Sequence, residues 1–155
     1  MVLTSFRSEF TFLRNVFGRT GIRMHHAESL DQADFLLTAT ESTVLLSDVI
    51  FVDGFWQRAL SVLGDSHPLV TMLVIADPVD RPFLGDLFKR GACGIVWKPF
   101  QFEEVRRLIR VVHEASKDRR ALQEEIFSRR SHSGAQHAIA RISEIRSLHS
   151  PGADA

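Results

Sequence analysis

The sequence is poor in the features that mark secreted, membrane-spanning and nucleic-acid-binding proteins. Its 155 residues contain one cysteine, Cys93, so no internal disulfide can form, which is consistent with a reducing compartment. Nineteen Lys and Arg balance nineteen Asp and Glu, so no net charge attracts the chain to nucleic acid or to anionic lipid. The apolar runs are too short to span a membrane, and residues 1–3 are strand-like rather than the start of a secretion signal. We expect a cytoplasmic protein with no membrane partner.

What the sequence does contain is a regular alternation of short apolar runs with amphipathic helical patterns. This alternation predicts an α/β fold with a five-stranded, doubly wound parallel sheet. The predicted strands are residues 1–3, 22–27, 44–46, 72–76 and 95–97. Five helices accompany them, the first two with Ser8 and Ser29 as N-caps, the fourth around residues 83–88 and the fifth from Phe102 onward.

The ends of the predicted strands are where a parallel sheet binds its ligands. The residues at these ends are Thr4, Ser5, Asp48, Ala76, Lys98 and Pro99. Asp48 and Lys98 are the two ionisable residues of this set and the candidates for a functional site. The alternative is an ion pair that only closes the edge of the sheet, although such pairs contribute merely about 0–1 kcal/mol to stability.

Two other features have simpler interpretations. Cys93 is interpreted as a small buried core residue rather than a reactive thiol. His25 and His26 are interpreted as an exposed pair on an edge strand, because no further ligand stands at the spacing of a metal site.

Two segments resemble the receiver domains of bacterial two-component response regulators. Residues 94–100, Gly-Ile-Val-Trp-Lys-Pro-Phe, are similar to that family's fifth strand with its lysine and cis-proline. Residues 44–48, followed by Asp53 and Gly54, are similar to its third strand, phosphoacceptor aspartate and Asp-Gly turn. The resemblance implies a flavodoxin-like (βα)5 receiver domain over residues 1–112.

By this resemblance, Asp48 accepts a phosphoryl group from a sensor histidine kinase, and Lys98 holds the transferring oxygens. Pro99 fixes the lysine through a cis peptide bond. Thr4, Ser5 and Ala76 then become neighbours of the phosphate. The implied partner is a sensor histidine kinase or another regulator.

The sequence departs from the family pattern at several positions around this site. Thr4 and Ser5 stand where the family has an acidic pair that helps to hold Mg²⁺, and Ala76 stands where it has a hydroxyl residue. Ile95 replaces an aromatic switch residue, and the loop after Asp48 is about two residues shorter than usual. We therefore expect an atypical receiver with no cofactor, or with weakly bound Mg²⁺ whose one carboxylate ligand is Asp48.

Beyond residue 112 the chain changes to a helical extension, residues 113–155, with a tail that we expect to be disordered from residue 150. Apolar residues continue a heptad stripe there, interrupted at residues 131–134, which favours a homodimer through this helical arm. The residues assigned to the dimer contact are Val112, Ala115, Arg119, Leu122, Ile126, Ile139, Ile142 and Ile145. The alternative is a solvated extension whose apolar side chains pack back on their own domain.

These observations favour a signalling protein that acts by binding rather than as an enzyme, with its dimer state as output. One alternative is a conventional phosphorylatable receiver in a His–Asp phosphorelay. Another is a DNA-binding regulator that uses the C-terminal helices, although seven Lys and Arg against five Asp and Glu from Lys117 onward are a small excess for phosphate binding. A flavodoxin-like enzyme would need a Gly-rich phosphate loop after the first strand, and the sequence has none.

Overall fold

The computed structural model describes the backbone of residues 1–148 and the side chains of residues 1–129. The chain divides into two compact units, Met1–Lys117 and Asp118–Ala155. The predicted domain boundary at residue 112 falls inside the first unit, which contains every element described below except the C-terminal part of the last helix. The assignment of residues 113–155 to dimerisation stays a prediction.

Strands and helices alternate along the chain, as the sequence predicts. In order, the elements are β1 (Val2–Leu3), α1 (Arg7–Phe17), β2 (His26–Ala27), α2 (Leu30–Thr40), β3 (Val44–Asp48), β4 (Ile50–Phe51), β5 (Gly54–Phe55), α3 (Trp56–Ser66), β6 (Thr71–Ala76), a 3₁₀ helix (Pro78–Phe83), β7 (Gly94–Trp97) and α4 (Phe102–Leu148). Five strands form one parallel sheet in the order β2-β1-β3-β6-β7, and β4 and β5 form a separate antiparallel hairpin. The predicted five-stranded parallel sheet is confirmed.

Helices cover both faces of the sheet, and this burial explains why its central strands are so apolar. Every residue of β3 and β6 is buried. On one face, α2 and α3 pack Leu37, Trp56 and Leu63 against the sheet. On the other face, α1 and α4 pack Phe17 and Ile109 against it. The doubly wound arrangement therefore follows from the apolar stripe on each covering helix.

The predicted N-cap is right for α2 and wrong for α1. The Ser29 side chain accepts a hydrogen bond from the Gln32 N–H at 3.3 Å. α1 begins directly after Phe6, which offers no side-chain cap, so Ser8 lies inside the helix. The reason is that Thr4 Oγ1 accepts the Phe6 N–H at 3.0 Å. This contact closes a tight turn directly after β1 and starts the helix earlier than the sequence indicates.

The predicted fourth helix, around residues 83–88, is wrong. The 3₁₀ helix Pro78–Phe83 occupies the start of this region, and turns lead from it towards β7. Pro82 has no N–H to donate and cannot sit in the interior of a regular α-helix. As a result Phe83 and Phe88 are exposed instead of lying on a buried helix face. Residues 1–148 thus contain four α-helices where five were predicted.

The last helix is longer than predicted. α4 runs from Phe102 to Leu148 without a break at residues 131–134, so the predicted interruption there is wrong. Serine and glycine lower helix stability by at most about 1 kcal/mol each relative to alanine, which neighbouring helix-forming residues offset. The predicted disordered tail from residue 150 lies outside the described residues. None of the described helices is long and apolar enough to cross a membrane.

Three smaller predictions also need correction. Cys93 is exposed rather than buried. Its neighbours Ala92 and Gly94 are both buried, and side chains alternate between faces in an extended segment. β2 contains only His26–Ala27 of the predicted residues 22–27, although it lies at the edge of the sheet as predicted. His26 and the residue before it are half-buried instead of exposed.

Candidate functional site

Asp48 and Lys98 meet at the carboxyl edge of the sheet. Asp48 is the last residue of β3 and Lys98 follows β7, with β6 between the two strands. The Lys98 backbone N–H donates to Ala76 O at 2.9 Å, which continues the strand pairing one residue beyond β7. Lys98 Nζ lies 3.4 Å from Asp48 Oδ1. The two residues that the sequence singles out therefore share one site, and the Lys98–Pro99 peptide is cis as predicted.

Thr4, which follows β1, is fully buried in the same site. Its hydroxyl donates to Asp48 Oδ2 and also lies 3.2 Å from Glu9 Oε2. Because a hydroxyl carries one proton, it can donate to only one of these carboxylates at a time. His26 Nε2 lies 2.9 Å from Thr4 O and also holds this strand end. Ser5, in contrast, is exposed, and the structure does not bring it into the buried site.

The first turn of α1 contributes a carboxylate that the sequence analysis missed. Glu9 Oε1 forms an ion pair with Lys98 Nζ, and only 16% of the Glu9 side chain is exposed. The Phe6 ring lies against the same ammonium, with Nζ 5.8 Å from the ring centroid. An acidic residue in the first turn of a helix is ordinarily explained by the helix dipole. The signal that could have found Glu9 is its place in a helix that begins immediately after β1, at the same edge of the sheet as Asp48.

The site holds two carboxylates and one ammonium in partly buried surroundings. Burial raises the pKa of Asp48 to about 6, and the Glu9 charge adds to that rise, while the Thr4 hydrogen bond and the Lys98 charge oppose it. Burial alone would lower the pKa of Lys98. The hydrogen bond to Glu9 and the negative charges of Asp48, Glu9 and Asp77 outweigh it and raise the pKa of Lys98 above its ordinary value. Lys98 is therefore an ammonium at neutral pH, while Asp48 exchanges a proton in mildly acidic solution.

The two carboxylate oxygens of Asp48 differ in their hydrogen bonding. Oδ2 accepts the Thr4 hydroxyl, whereas Oδ1 is buried and accepts no hydrogen bond from any residue that the structure describes. Buried polar atoms are nearly always hydrogen-bonded. Asp48 Oδ1 is an exception, since its only polar contact among the described residues is the ion pair with Lys98 Nζ at 3.4 Å.

Mg²⁺ fits this set of side chains poorly. The ion prefers oxygen ligands in near-octahedral geometry, and within residues 1–129 no group of three His, Cys, Asp or Glu could hold a metal ion. Asp48 and Glu9 supply two carboxylates, but Glu9 is already paired with Lys98. Mg²⁺ would have to break that pair to use both carboxylates.

Solved structures share this backbone arrangement. NtrX from Brucella abortus matches with a TM-score of 0.70 and 16% identity over 79% of this chain, which spans only 28% of the length of that protein. The receiver domain of NtrX from Brucella abortus matches with a TM-score of 0.67 and 15% identity, over 73% of this chain and 96% of that one. A response regulator receiver domain protein from Clostridium thermocellum matches with a TM-score of 0.65 and 14% identity, over 79% and 95% of the two chains.

This chain has the receiver-domain fold. No family model matches its sequence, and no curated protein matches it either. Since the identities to the solved structures are low, the likeness shows the receiver fold and does not assign roles to individual site residues.

The receiver loop that follows Asp48 is here a short hairpin of β4 and β5. The Trp56 N–H donates to Val49 O at 3.0 Å and closes the base of the hairpin. At its turn, both carboxylate oxygens of Asp53 accept the Leu30 N–H, at 3.0 and 3.3 Å. The aspartate of the Asp-Gly turn therefore also caps the first turn of α2.

Ala76 and Ile95 occupy the two positions at which the resemblance to receivers implies a hydroxyl residue and an aromatic residue. Ala76 ends β6 fully buried and brings no hydroxyl to the site. Ile95 is partly buried in the core formed with α2 and α3. Two residues further along β7, Trp97 belongs to the same cluster, and the Arg81 guanidinium lies 5.3 Å from the centroid of its ring. The aromatic residue of this strand thus lies directly before Lys98 rather than at position 95.

The residues assigned to a dimer contact differ in their surroundings. Exposed ones on α4 are Ala115, Arg119, Leu122 and Ile126, while the side chains of Ile139, Ile142 and Ile145 lie outside the described residues. Val112 packs partly buried against its own core. The sheet-facing stripe of α4 continues from Val112 to Ser116, whose hydroxyl donates to Thr71 Oγ1 at 2.8 Å. Val112 therefore belongs more to the receiver core than to a free surface.

Proposed function

We propose that this chain is a response-regulator receiver of a two-component pathway, which signals by binding a sensor histidine kinase or another regulator and not by turning over a substrate. In this proposal Asp48 is the phosphoacceptor of an atypical, magnesium-poor site. The observation that supports it most is the buried Asp48 carboxylate, 3.4 Å from the Lys98 ammonium at the carboxyl edge of the sheet. The shared fold of the NtrX receiver domain and of the Clostridium thermocellum receiver is a second line of support.

The proposed chemistry is transfer of a phosphoryl group to Asp48 Oδ1. A new O–P bond forms while the bond from phosphorus to its donor, a phosphohistidine nitrogen or an acyl phosphate oxygen, breaks. The bonding electrons leave with the donor atom. Thr4 holds Oδ2, which leaves Oδ1 as the attacking atom. Lys98 contributes one positive charge opposite the phosphoryl oxygens.

Glu9 opposes this reaction in the resting site. Its carboxylate already pairs with Lys98, and it adds a negative charge where a phosphoryl group has to be accommodated. The transferring group therefore has to displace Glu9 before Lys98 can stabilise it. Slow phosphorylation of the resting protein is the expected consequence, and a partner that shifts the first turn of α1 would accelerate it.

The direct test is incubation with acetyl phosphate, with Mg²⁺ or with EDTA, followed by intact-mass measurement. We expect a slowly formed phosphoryl adduct on the wild-type protein in both conditions, and none on Asp48→Asn. Asp65→Asn is the matched control, because Asp65 is an exposed carboxylate on α3, and its adduct should form as in wild type. Glu9→Gln should accelerate adduct formation several-fold, since a neutral amide releases the Lys98 ammonium.

Each other outcome of this experiment has a clear meaning. No adduct on the wild-type protein, or an adduct that persists in Asp48→Asn, would refute the phosphoacceptor assignment. An adduct that forms only with Mg²⁺ would favour a conventional receiver in a His–Asp phosphorelay instead of a magnesium-poor one.

We also propose that the exposed part of α4 forms a homodimer contact. Leu122 and Ile126 are 57% and 44% exposed and lie four residues apart on one helix face. A second copy would bury the same stripe symmetrically. In sedimentation equilibrium of the full chain, the Leu122→Glu, Ile126→Glu double variant should be monomeric. Ala121→Glu, which places the same charge one residue away from the stripe, should remain dimeric, and a monomeric wild-type protein would contradict the proposal.

A further inference from the structure

A second concave site lies between the end of α1 and the face of α4. The cavity has a volume of about 260 Å³ and is lined by residues 17 and 20–22 on one side. On the α4 side it is lined by Arg106, Arg110, His113, Glu114 and Lys117. All of these residues belong to the unit Met1–Lys117.

This cavity lies at the amino edge of the sheet, opposite the edge that carries Asp48. His113 Nδ1 is 3.4 Å from the hydroxyl of Thr43, the residue directly before β3. One turn later on α4, Ser116 donates to Thr71, the first residue of β6. α4 therefore crosses the starts of the central strands where it lines the cavity, and the cavity is a separate site from the phosphoacceptor pocket.

The lining carries an excess of positive charge. Arg106, Arg110 and Lys117 face a single carboxylate, Glu114. His113 adds no charge at neutral pH, because burial and the Lys117 charge lower its pKa below its ordinary value. The guanidinium groups of Arg106 and Arg110, four residues apart on one helix face, repel each other unless an anion lies between them.

The cations of this cavity are free to bind an external group. In residues 1–129, neither Arg110 nor Lys117 forms an ion pair, and Arg106 has only Glu103 at 3.9 Å, whose side chain is 81% exposed. The Thr20 hydroxyl is already used within the turn after α1, where it donates to Phe17 O at 2.8 Å. The available donors are therefore the guanidinium and ammonium groups of α4.

Size and donor type together define the ligand. Planar guanidinium forks bind phosphate oxygens in pairs, which a lysine alone cannot do. A cavity of about 260 Å³ is slightly below the usual size range of sites for drug-sized molecules. It accommodates a phosphate or pyrophosphate group with a compact organic substituent.

We propose that the cavity between α1 and α4 binds a small soluble phosphate ester or pyrophosphate. Arg106 and Arg110 donate hydrogen bonds to its oxygens, and Lys117 adds a positive charge. This site is independent of the phosphoacceptor chemistry. A ligand bound in this cavity acts on the receiver separately from Asp48. Its binding residues lie on the same helix that continues into the C-terminal extension.

The test is isothermal titration calorimetry of the full chain with inorganic pyrophosphate in magnesium-free buffer at low salt. We expect saturable binding that weakens as salt rises, and a loss of about tenfold or more in affinity for Arg110→Gln, as for removal of a charged hydrogen bond. Arg107→Gln is the matched control, because Arg107 is an exposed neighbour on α4 that does not line the cavity. Its affinity should equal that of the wild-type protein.

Further arms make the outcome decisive. Arg110→Lys, which keeps the charge but loses the planar fork, should bind with intermediate affinity, and circular dichroism checks that each variant is folded. Absence of saturable binding, or equal affinity in Arg110→Gln and wild type, would each overturn the proposal. Co-sedimentation with phosphatidylglycerol vesicles without any pyrophosphate binding would assign the cations to a lipid surface and would also overturn it.

Discussion

The two edges of the receiver sheet hold their charged groups in different states. At the carboxyl edge, Asp48 and Glu9 share one ammonium, that of Lys98, so every charge already has a partner inside the protein. At the amino edge, Arg110 and Lys117 line a cavity and have no ion-pair partner among residues 1–129. At the first site, an external anion has to displace a carboxylate of the protein before it can pair with Lys98. At the second site, Arg110 and Lys117 have no ion pair within residues 1–129 that an incoming anion would have to break.

The largest effect expected from this difference is the loss of the shared ammonium. Lys98→Met leaves two neighbouring, mostly buried carboxylates without their cation, which should destabilise the protein by about 2–4 kcal/mol at pH 8. Urea unfolding followed by circular dichroism measures this change. Lys89→Met is the matched control, because Lys89 is 84% exposed and lies 3.7 Å from an exposed Asp86. Its cost should stay below about 0.5 kcal/mol.

A second outcome of the Lys98 experiment checks the cause. Adding Glu9→Gln to Lys98→Met removes one of the two carboxylates, so the double variant should recover part of the lost stability. If the double variant is as unstable as the single one, the loss comes from packing of the lysine stem rather than from the unpaired charges.

A smaller effect is expected from the raised pKa of Asp48. The pKa of about 6 in the folded protein lies above the ordinary value of 3.8, so the folded state holds this proton more tightly than the unfolded one. Stability therefore falls as pH rises from about 4 to above 6, and the full cost is present at pH 8. Asp48→Asn removes this cost and should stabilise the protein at pH 8 by on the order of 1–3 kcal/mol.

The pH dependence separates this explanation from a change in packing. The gain from Asp48→Asn should shrink as the pH falls through 6 and should be close to zero below pH 4, as measured by urea unfolding at each pH. A gain of the same size at pH 4 and pH 8 would show that titration of Asp48 is not its cause.

The smallest effect is expected at the amino edge. Because Arg110 has no ion-pair partner in residues 1–129, Arg110→Gln should leave stability within about 0.5 kcal/mol of wild type, with any change towards higher stability at low salt. Thermal unfolding at two salt concentrations measures it. A loss of more than 1 kcal/mol would mean that Arg110 already has a stabilising partner inside the protein. The cations at both edges of the sheet would then be internally paired.

The parts of the structure that followed from sequence depend on short-range patterns. The apolar runs of β3 and β6 predict buried parallel strands, and the carboxyl ends of parallel strands lie at one edge, so Asp48 and Lys98 were expected at the same edge of the sheet. Ser29 was found because an N-cap is decided by residues three positions apart.

The parts that were missed depend on the three-dimensional path of the chain. Glu9 enters the site because α1 begins immediately after β1, where Thr4 accepts the Phe6 N–H, and the contact of Glu9 with Lys98 joins residues far apart in the sequence. The absent fourth helix had a visible cause in Pro82, but the apolar residues around it gave a competing helical period. The helix continues through residues 131–134 because helix formation is cooperative. A segment of low helix propensity remains helical when the residues on both sides of it are helical.

The hairpin after Asp48 connects two parts of the protein mechanically. Asp53, five residues beyond Asp48, accepts the Leu30 N–H with both oxygens, so the loop is fastened to the start of α2. A long loop can accommodate a displacement by changing its own conformation, whereas this short hairpin has little conformational freedom. A shift of the backbone at Asp48 therefore bears on the cap at Leu30, the first residue of α2, the helix that precedes β3.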